Sequence, residues 1–282
     1  MLLQALHFDF MQNAIIAGLL VSVACGIVGT YVVVNRIVFI SGGIAHTAYG
    51  GIGLGYLLGF NPVYGAVGFS LLAALGMAWV QRRTRQRADT IIGVMWAVGM
   101  ALGIILIDLA KGYKADLMSY LFGSILAVPR ADLWLMLVLD LIIVAVVALF
   151  YKELLVISFD ETFAEISNIP VERLYLLLIS LIALTVVMMM RVVGLIMVIA
   201  MLTIPAAIAA QFTRDLKRVM GIAIALGALF TLIGLWLSYA LNLTSGATII
   251  LVAGGAYLLS LLLKQFRRRE AAHRQELTIT RV

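Results

Sequence analysis

Long apolar blocks alternate with short polar breaks along almost the whole chain. A membrane-spanning helix needs about 20 predominantly apolar residues. Nine blocks reach that length: 11–34, 37–59, 62–81, 89–109, 132–151, 172–190, 192–212, 218–241 and 246–264. The pattern predicts an all-α polytopic membrane protein of about nine transmembrane helices. Eight to ten are allowed, because little more than Arg191 separates the sixth block from the seventh. The stretch LMSYLFGSIL (117–126) is apolar but too short to cross, and predicts a re-entrant or interfacial helix. A single transmembrane domain over 1–282 follows, with a helical bundle at 11–266, a polar loop at 152–173 and a tail at 267–282 whose polar end frays.

Composition agrees with that pattern. The chain is 64% apolar and only 12% charged, against about 25% charged residues in a soluble domain. The net charge of +6 does not point to nucleic acid, because the basic residues cluster at the ends of apolar blocks, where they encode topology. In a nine-span arrangement three clusters fall on one side: Arg82, Arg83, Arg85 and Arg87; Arg214, Lys217 and Arg218; and Lys264, Arg267, Arg268 and Arg269. Arg36 and Lys152 join them, while Lys111, Lys114, Arg130 and Arg191 lie opposite. The positive-inside rule then predicts an outside N-terminus and a cytosolic C-terminus. No basic residue precedes the first block, so residue 1 is expected to belong to the mature protein. A single cysteine, Cys25, excludes an intrachain disulfide and a cysteine-based zinc site. No P-loop pattern is present, so ATP chemistry is not expected on this chain.

The second block holds the strongest candidate chemistry. FISGGIAHTAYGGIGLG (39–55) carries six glycines around His46. As a helix it lines up Gly43, Thr47, Gly51 and Gly55 at spacing four, a small-residue stripe of the kind that lets membrane helices approach closely. Gly42, His46 and Gly50 form the next row, with Tyr49 on the same side. An imidazole in hydrocarbon must face protein, water or a ligand. His46 is therefore either a metal ligand on a narrow path or a hydrogen-bonding residue between helices, and a metal would require partners from other helices or a second copy of the chain. Ser41, Tyr49 and Asp140 are the candidate helpers.

Asp140 sits near the middle of the fifth block, where a carboxylate costs about 3 kcal/mol on insertion scales. Its aliphatic surroundings favour a neutral acid bonded across helices over a pathway ligand. Met188, Met189 and Met190 are consecutive and so face three directions, which favours packing. Pro205, in the TIPAA segment 203–207, and Gly194 are candidate flexible points.

The loop KELLVISFDETFAEISNIPVER (152–173) places Phe159, Phe163 and Ile166 at helical spacing, with Asp160, Glu161 and Glu165 elsewhere. It predicts a short amphipathic helix stopped by Asn168 and Pro170. Such an apolar stripe packs back on its own bundle, lies on the membrane, or docks into a groove of another protein. Three carboxylates disfavour an anionic lipid surface, and docking is preferred.

These segments, taken in order, resemble the integral-membrane permeases of zinc/manganese-type ABC uptake transporters, the ZnuB-like family. The resemblance runs through 8–36, 39–55, 87–106, 121–128, 152–170, 192–218 and 245–260. It implies an ABC importer permease-like bundle, a homodimer in a prokaryotic plasma membrane, a cytosolic ATPase holding the ATP, an extracytoplasmic metal-binding protein and a divalent metal as substrate. The resemblance also makes SFDETFAEISNIP the segment that couples to the ATPase. Family members commonly carry D-x-x-x-H on the second helix; here the histidine is His46 and the aspartate position is Gly42. Nitrogen-rich sites suit zinc better than manganese, so the expectation leans towards zinc. The rival readings are a secondary metal transporter or channel without an ATPase, and a membrane scaffold that transports nothing.

Overall fold

The computed structural model describes residues 8–83, 88–110 and 123–279. Within them the chain forms α1 (Asp9–Val34), α2 (Val38–Leu58), α3 (Pro62–Arg83) and α4 (Ala88–Leu109). A single 3-10 turn (Ile125–Ala127) precedes α5 (Arg130–Leu149), α6 (Tyr151–Phe159) and α7 (Glu161–Ile166). The last four helices are α8 (Val171–Val193), α9 (Leu195–Phe212), α10 (Leu216–Leu241) and α11 (Ser245–Ile279). No strand occurs among the described residues.

All nine expected long helices are present. Eight are long and apolar enough to cross a membrane. The exception is α2, whose 21 residues reach about 31 Å at 1.5 Å per residue but whose glycines and histidine lower its hydropathy. Its polarity is tolerated because most of the helix, from Ile40 to Gly55, is packed inside the bundle.

Local chemistry sets the helix ends. Gly59 adopts φ +76° behind α2 and Asn242 adopts φ +54° behind α10, left-handed conformations that stop a helix. Pro62 opens α3 at the position where a missing N–H costs nothing, and the Asn61 side chain accepts from the Val63 N–H at 3.0 Å. Asp215 accepts from the N–H groups of Lys217 and Arg218 at the head of α10. The soft sixth–seventh boundary is a single residue, Gly194, at φ +83°. Gly123 abuts it so closely that a Cβ there would collide with the Gly194 backbone.

The core gathers around α1, α8 and α9, the most buried of the apolar spans. Hydroxyls inside it turn back on their own helices: Ser22, Thr30, Thr185 and Thr231 each donate to the carbonyl four residues earlier. That satisfies the hydroxyls where no water is available.

Two contacts and a junction between short helices define one end of the bundle. The Asn35 amide donates to Ser158 Oγ at 3.0 Å, Lys217 Nζ lies 4.7 Å from the Tyr151 ring centroid, and α7 follows α6 directly. At the other end Arg130 pairs with Asp9 at 3.0 Å, and the Asn13 amide donates to the Val128 carbonyl.

Two elements differ from the sequence expectation. The 152–173 loop is not one helix in a loop but two short helices meeting at Asp160, because the Asp160 carboxylate caps the Phe163 N–H at 2.9 Å and so starts a new helix there. The backbone beyond 264 continues as helix to Ile279 instead of fraying. Its Ala, Glu, Gln and Arg content favours helix. Of the short segment 117–126, residues 117–122 lie outside those described, and 125–127 form the 3-10 turn.

Candidate functional site

Helix α2 is held by backbone contacts that only glycine permits. A Cβ at Gly51 would run into the Gly65 carbonyl of α3, and one at Gly53 would meet the Gly103 carbonyl of α4 at 2.6 Å. Gly99 of α4 faces Thr47, with room for no methyl group: a Cβ at Gly99 would lie 2.7 Å from the Thr47 Cα. Gly43 sits against Ile92 and Met77, and Gly55 against Pro62. The predicted stripe of Gly43, Thr47, Gly51 and Gly55 therefore does face neighbouring helices. Thr47 Oγ1 donates to the Gly43 carbonyl at 2.5 Å within α2 and lies 3.4 Å from the Met95 carbonyl of α4.

This clamp fixes His46 against α4. The imidazole stacks on the Trp96 indole with centroids 3.9 Å apart and planes 15° apart. Its Nδ1 lies 3.0 Å from Met100 Sδ. Trp96 and Met100 are one helical turn apart and share a face of α4. The ring is only half-buried, unlike the glycines beside it. An oriented ring with an accessible edge can take up a cation or donate one hydrogen bond; it has no carboxylate to neutralise a divalent charge. Among the described residues no group of three or more His, Cys, Asp or Glu side chains converges on a point.

The proposed helpers are dispersed. Ser41 is fully buried and donates to the Val38 carbonyl at 2.7 Å within its own helix. Tyr49 is buried at 1% exposure, and its own backbone carbonyl lies against Gly103. Asp140 belongs to another face altogether: with Met136 and Ile143 it forms the buried side of α5, in electrostatic reach of Cys25 on α1. Neither of its oxygens has a hydrogen-bond partner. Pro205 is buried inside α9, where it removes one intrahelical bond.

At the end of the bundle defined by Asn35 and Lys217, Phe159, Phe163 and Ile166 are 60%, 56% and 78% exposed. They do not pack back on the bundle. Only Ala164 of α7 is buried.

Sequence reasoning missed Trp96 and Met100, the side chains that touch His46, and Gly65, Gly99 and Gly103, the glycines that receive α2. Gly99 and Gly103 carried a usable signal in their spacing of four. Trp96 and Met100 carried none, being ordinary residues of an apolar span.

The profile of the ABC 3 transport family matches residues 7–264. An uncharacterized membrane protein of Synechocystis is 62% identical over 267 residues, covering 95% of this chain and 94% of the relative. The manganese import system permease protein ScaB of Streptococcus gordonii is 35% identical over 259 residues, covering 92% and 93%. Among solved structures, PsaBC from Streptococcus pneumoniae in complex with Fab superposes with a TM-score of 0.82 at 34% identity, covering 92% of this chain and 95% of that one.

Proposed function

The chain belongs to the ABC 3 transport family, and we infer that it is the membrane-spanning permease subunit of an ATP-driven importer for a divalent transition-metal ion. It is a transport subunit and not an enzyme; ATP is hydrolysed on a separate chain. Two copies pair in the membrane, each contributing His46 to a shared path. A cytosolic ATPase sits beneath each copy, and an extracytoplasmic binding protein delivers the ion. The observation that carries the reading is the half-buried His46 on a glycine-rich helix, fixed by glycine contacts in a chain of this family.

The ion meets the His46 edge at mid-membrane. The ATPase engages Phe159, Phe163 and Ile166, with Asp160 setting the angle between α6 and α7. Asn35, Ser158, Tyr151 and Lys217 lie at one end of the bundle, which supports a cytosolic side holding the basic clusters and the C-terminus, with the N-terminus outside. Movement of α7 reaches α2 through the Asn35–Ser158 hydrogen bond and the short α1–α2 turn. Gly194 and Pro205 are the positions at which α8 and α9 can bend.

The test is ATP-dependent uptake of zinc, manganese and iron into vesicles containing this chain, its ATPase and its binding protein. His46→Ala should lower uptake at least tenfold while ATP hydrolysis persists. Undiminished uptake would make His46 a packing residue and remove the basis of the reading.

A further inference from the structure

The residues around His46 specify more than a path. Its edge is served by sulfur: Met100 Sδ stands 3.0 Å from Nδ1, and the Trp96 stack closes one face of the ring. No carboxylate takes that place, since Gly42, one turn before His46, has no side chain. We propose that Met100 is the selectivity-determining partner of His46, its thioether joining the imidazole at the passing ion in a nitrogen–sulfur pair that favours zinc over manganese. The proposal rests on the assignment of His46 to the ion path.

Chemistry sets the direction. Imidazole and sulfur ligands suit zinc and softer cations, whereas manganese prefers carboxylate, carbonyl and water oxygen. Geometry allows the pair. A nitrogen and a sulfur on one tetrahedral zinc ion lie at least about 3.6 Å apart, from Zn–N of about 2.0–2.1 Å and a Zn–S of about 2.3 Å for thiolate, longer for a neutral thioether. The sulfur must therefore retreat by roughly half an ångström or more from its present position, which a methionine with three rotatable bonds can do. Without the ion, an Nδ1–H donates to the sulfur; this is a weak bond, so loading gives up little. The site can also be converted. A Cβ at Gly42 would lie 3.6 Å from Trp96 Cζ3 and 4.0 Å from Ile199 Cδ1, ordinary contacts. A carboxylate introduced there would share a helix face with His46.

Transport selectivity also reflects the binding protein, so the decisive measurement is ion binding to the purified permease–ATPase complex alone. Zinc and manganese affinities are measured by equilibrium dialysis, and X-ray absorption at the zinc edge reads the ligand atoms. The wild type should bind zinc at least tenfold more tightly than manganese and show a sulfur neighbour beyond the roughly 2.0–2.1 Å nitrogen shell. Met100→Leu, a volume-conserving change, should lose that sulfur and narrow the preference about tenfold. Gly42→Asp should narrow it from the other direction by strengthening manganese binding. Nitrogen and oxygen neighbours alone in the wild type, or an unchanged preference in Met100→Leu, would overturn the role of Met100 while leaving His46 on the path. If His46→Ala itself kept both zinc binding and uptake, the failure would lie with the path assignment and the proposal would fall with it.

Discussion

Helices α2 and α7 break the ordinary partition of a membrane protein in opposite ways. Helix α2 places glycine and threonine at membrane depth, where apolar bulk is the rule, and hides them, with His46 half-buried among them. Helix α7 and the end of α6 expose two phenylalanines and an isoleucine where polar surface is the rule. Each violation has a physical cost, and each is supported by local structure built for it. Glycine-to-carbonyl contacts make α2's missing side chains a packing advantage. The Asp160 cap turns α7 away from α6 and presents its apolar residues outward. On the proposed function the two regions would act differently: α2 through a fixed interior geometry, α7 through a surface completed by a partner.

The strongest way to break that contrast is to put a side chain into α2. In Gly51→Leu the new atoms would occupy the Gly65 carbonyl, and backbone cannot yield as a flexible side chain can. The cost should be on the order of 3 kcal/mol, seen as a large drop in melting temperature in detergent and in the yield of folded protein. A folded Gly51→Leu with unaltered melting would mean that α2 and α3 are not tightly apposed, and His46 would lose the frame that orients it.

A change of α7 should act elsewhere. Phe163 is 56% exposed, so Phe163→Asp should leave the isolated chain's melting nearly unchanged. Its effect should appear in the complex, where loss of a buried aromatic anchor costs about 2 kcal/mol or more, a drop in ATPase affinity of over tenfold. Copurification of the ATPase with wild type but not with Phe163→Asp would sharpen the contrast. Equal copurification would mean that the ATPase is held by other residues, and would assign the exposed stripe to lipid.

The two regions were also legible to different degrees. The run of apolar blocks announced nine long helices, and the spacing of Gly43, Thr47, Gly51 and Gly55 announced a close contact on α2. Periodicity identifies a face but not what covers it, so Gly65, Gly99 and Gly103 emerged only with the fold. The same holds for His46: its position marked it, while Met100 and Trp96 lie 54 and 50 residues away in sequence and became its neighbours through the packing of α4 on α2. In the polar loop, Phe159, Phe163 and Ile166 read as one helical stripe because their spacing is helical. A single capping carboxylate at Asp160 divides it, and capping competes with helix continuation on a scale of about 1 kcal/mol, too small a difference to see in a pattern of apolar positions.

Asp140 tests whether breaking the partition is enough to mark function. Like His46 it is an ionisable group at mid-span, but its surroundings are of the other kind: 4% exposed, on a face shared with Met136 and Ile143, both oxygens without a partner. No glycine clamp orients α5 around it, and Gly42, His46 and Met100 lie on other helices. A buried polar group left unsatisfied costs about 1–3 kcal/mol. Asp140→Val should therefore raise stability by about 1–2 kcal/mol, read as a higher melting temperature, and leave zinc uptake within about twofold of wild type. If uptake fell with His46 intact, a second station for the ion would lie on α5. If stability fell, the carboxylate would have a partner in the assembled dimer, and the difference between an ionisable group held by its neighbours and one merely enclosed by them would no longer separate His46 from Asp140.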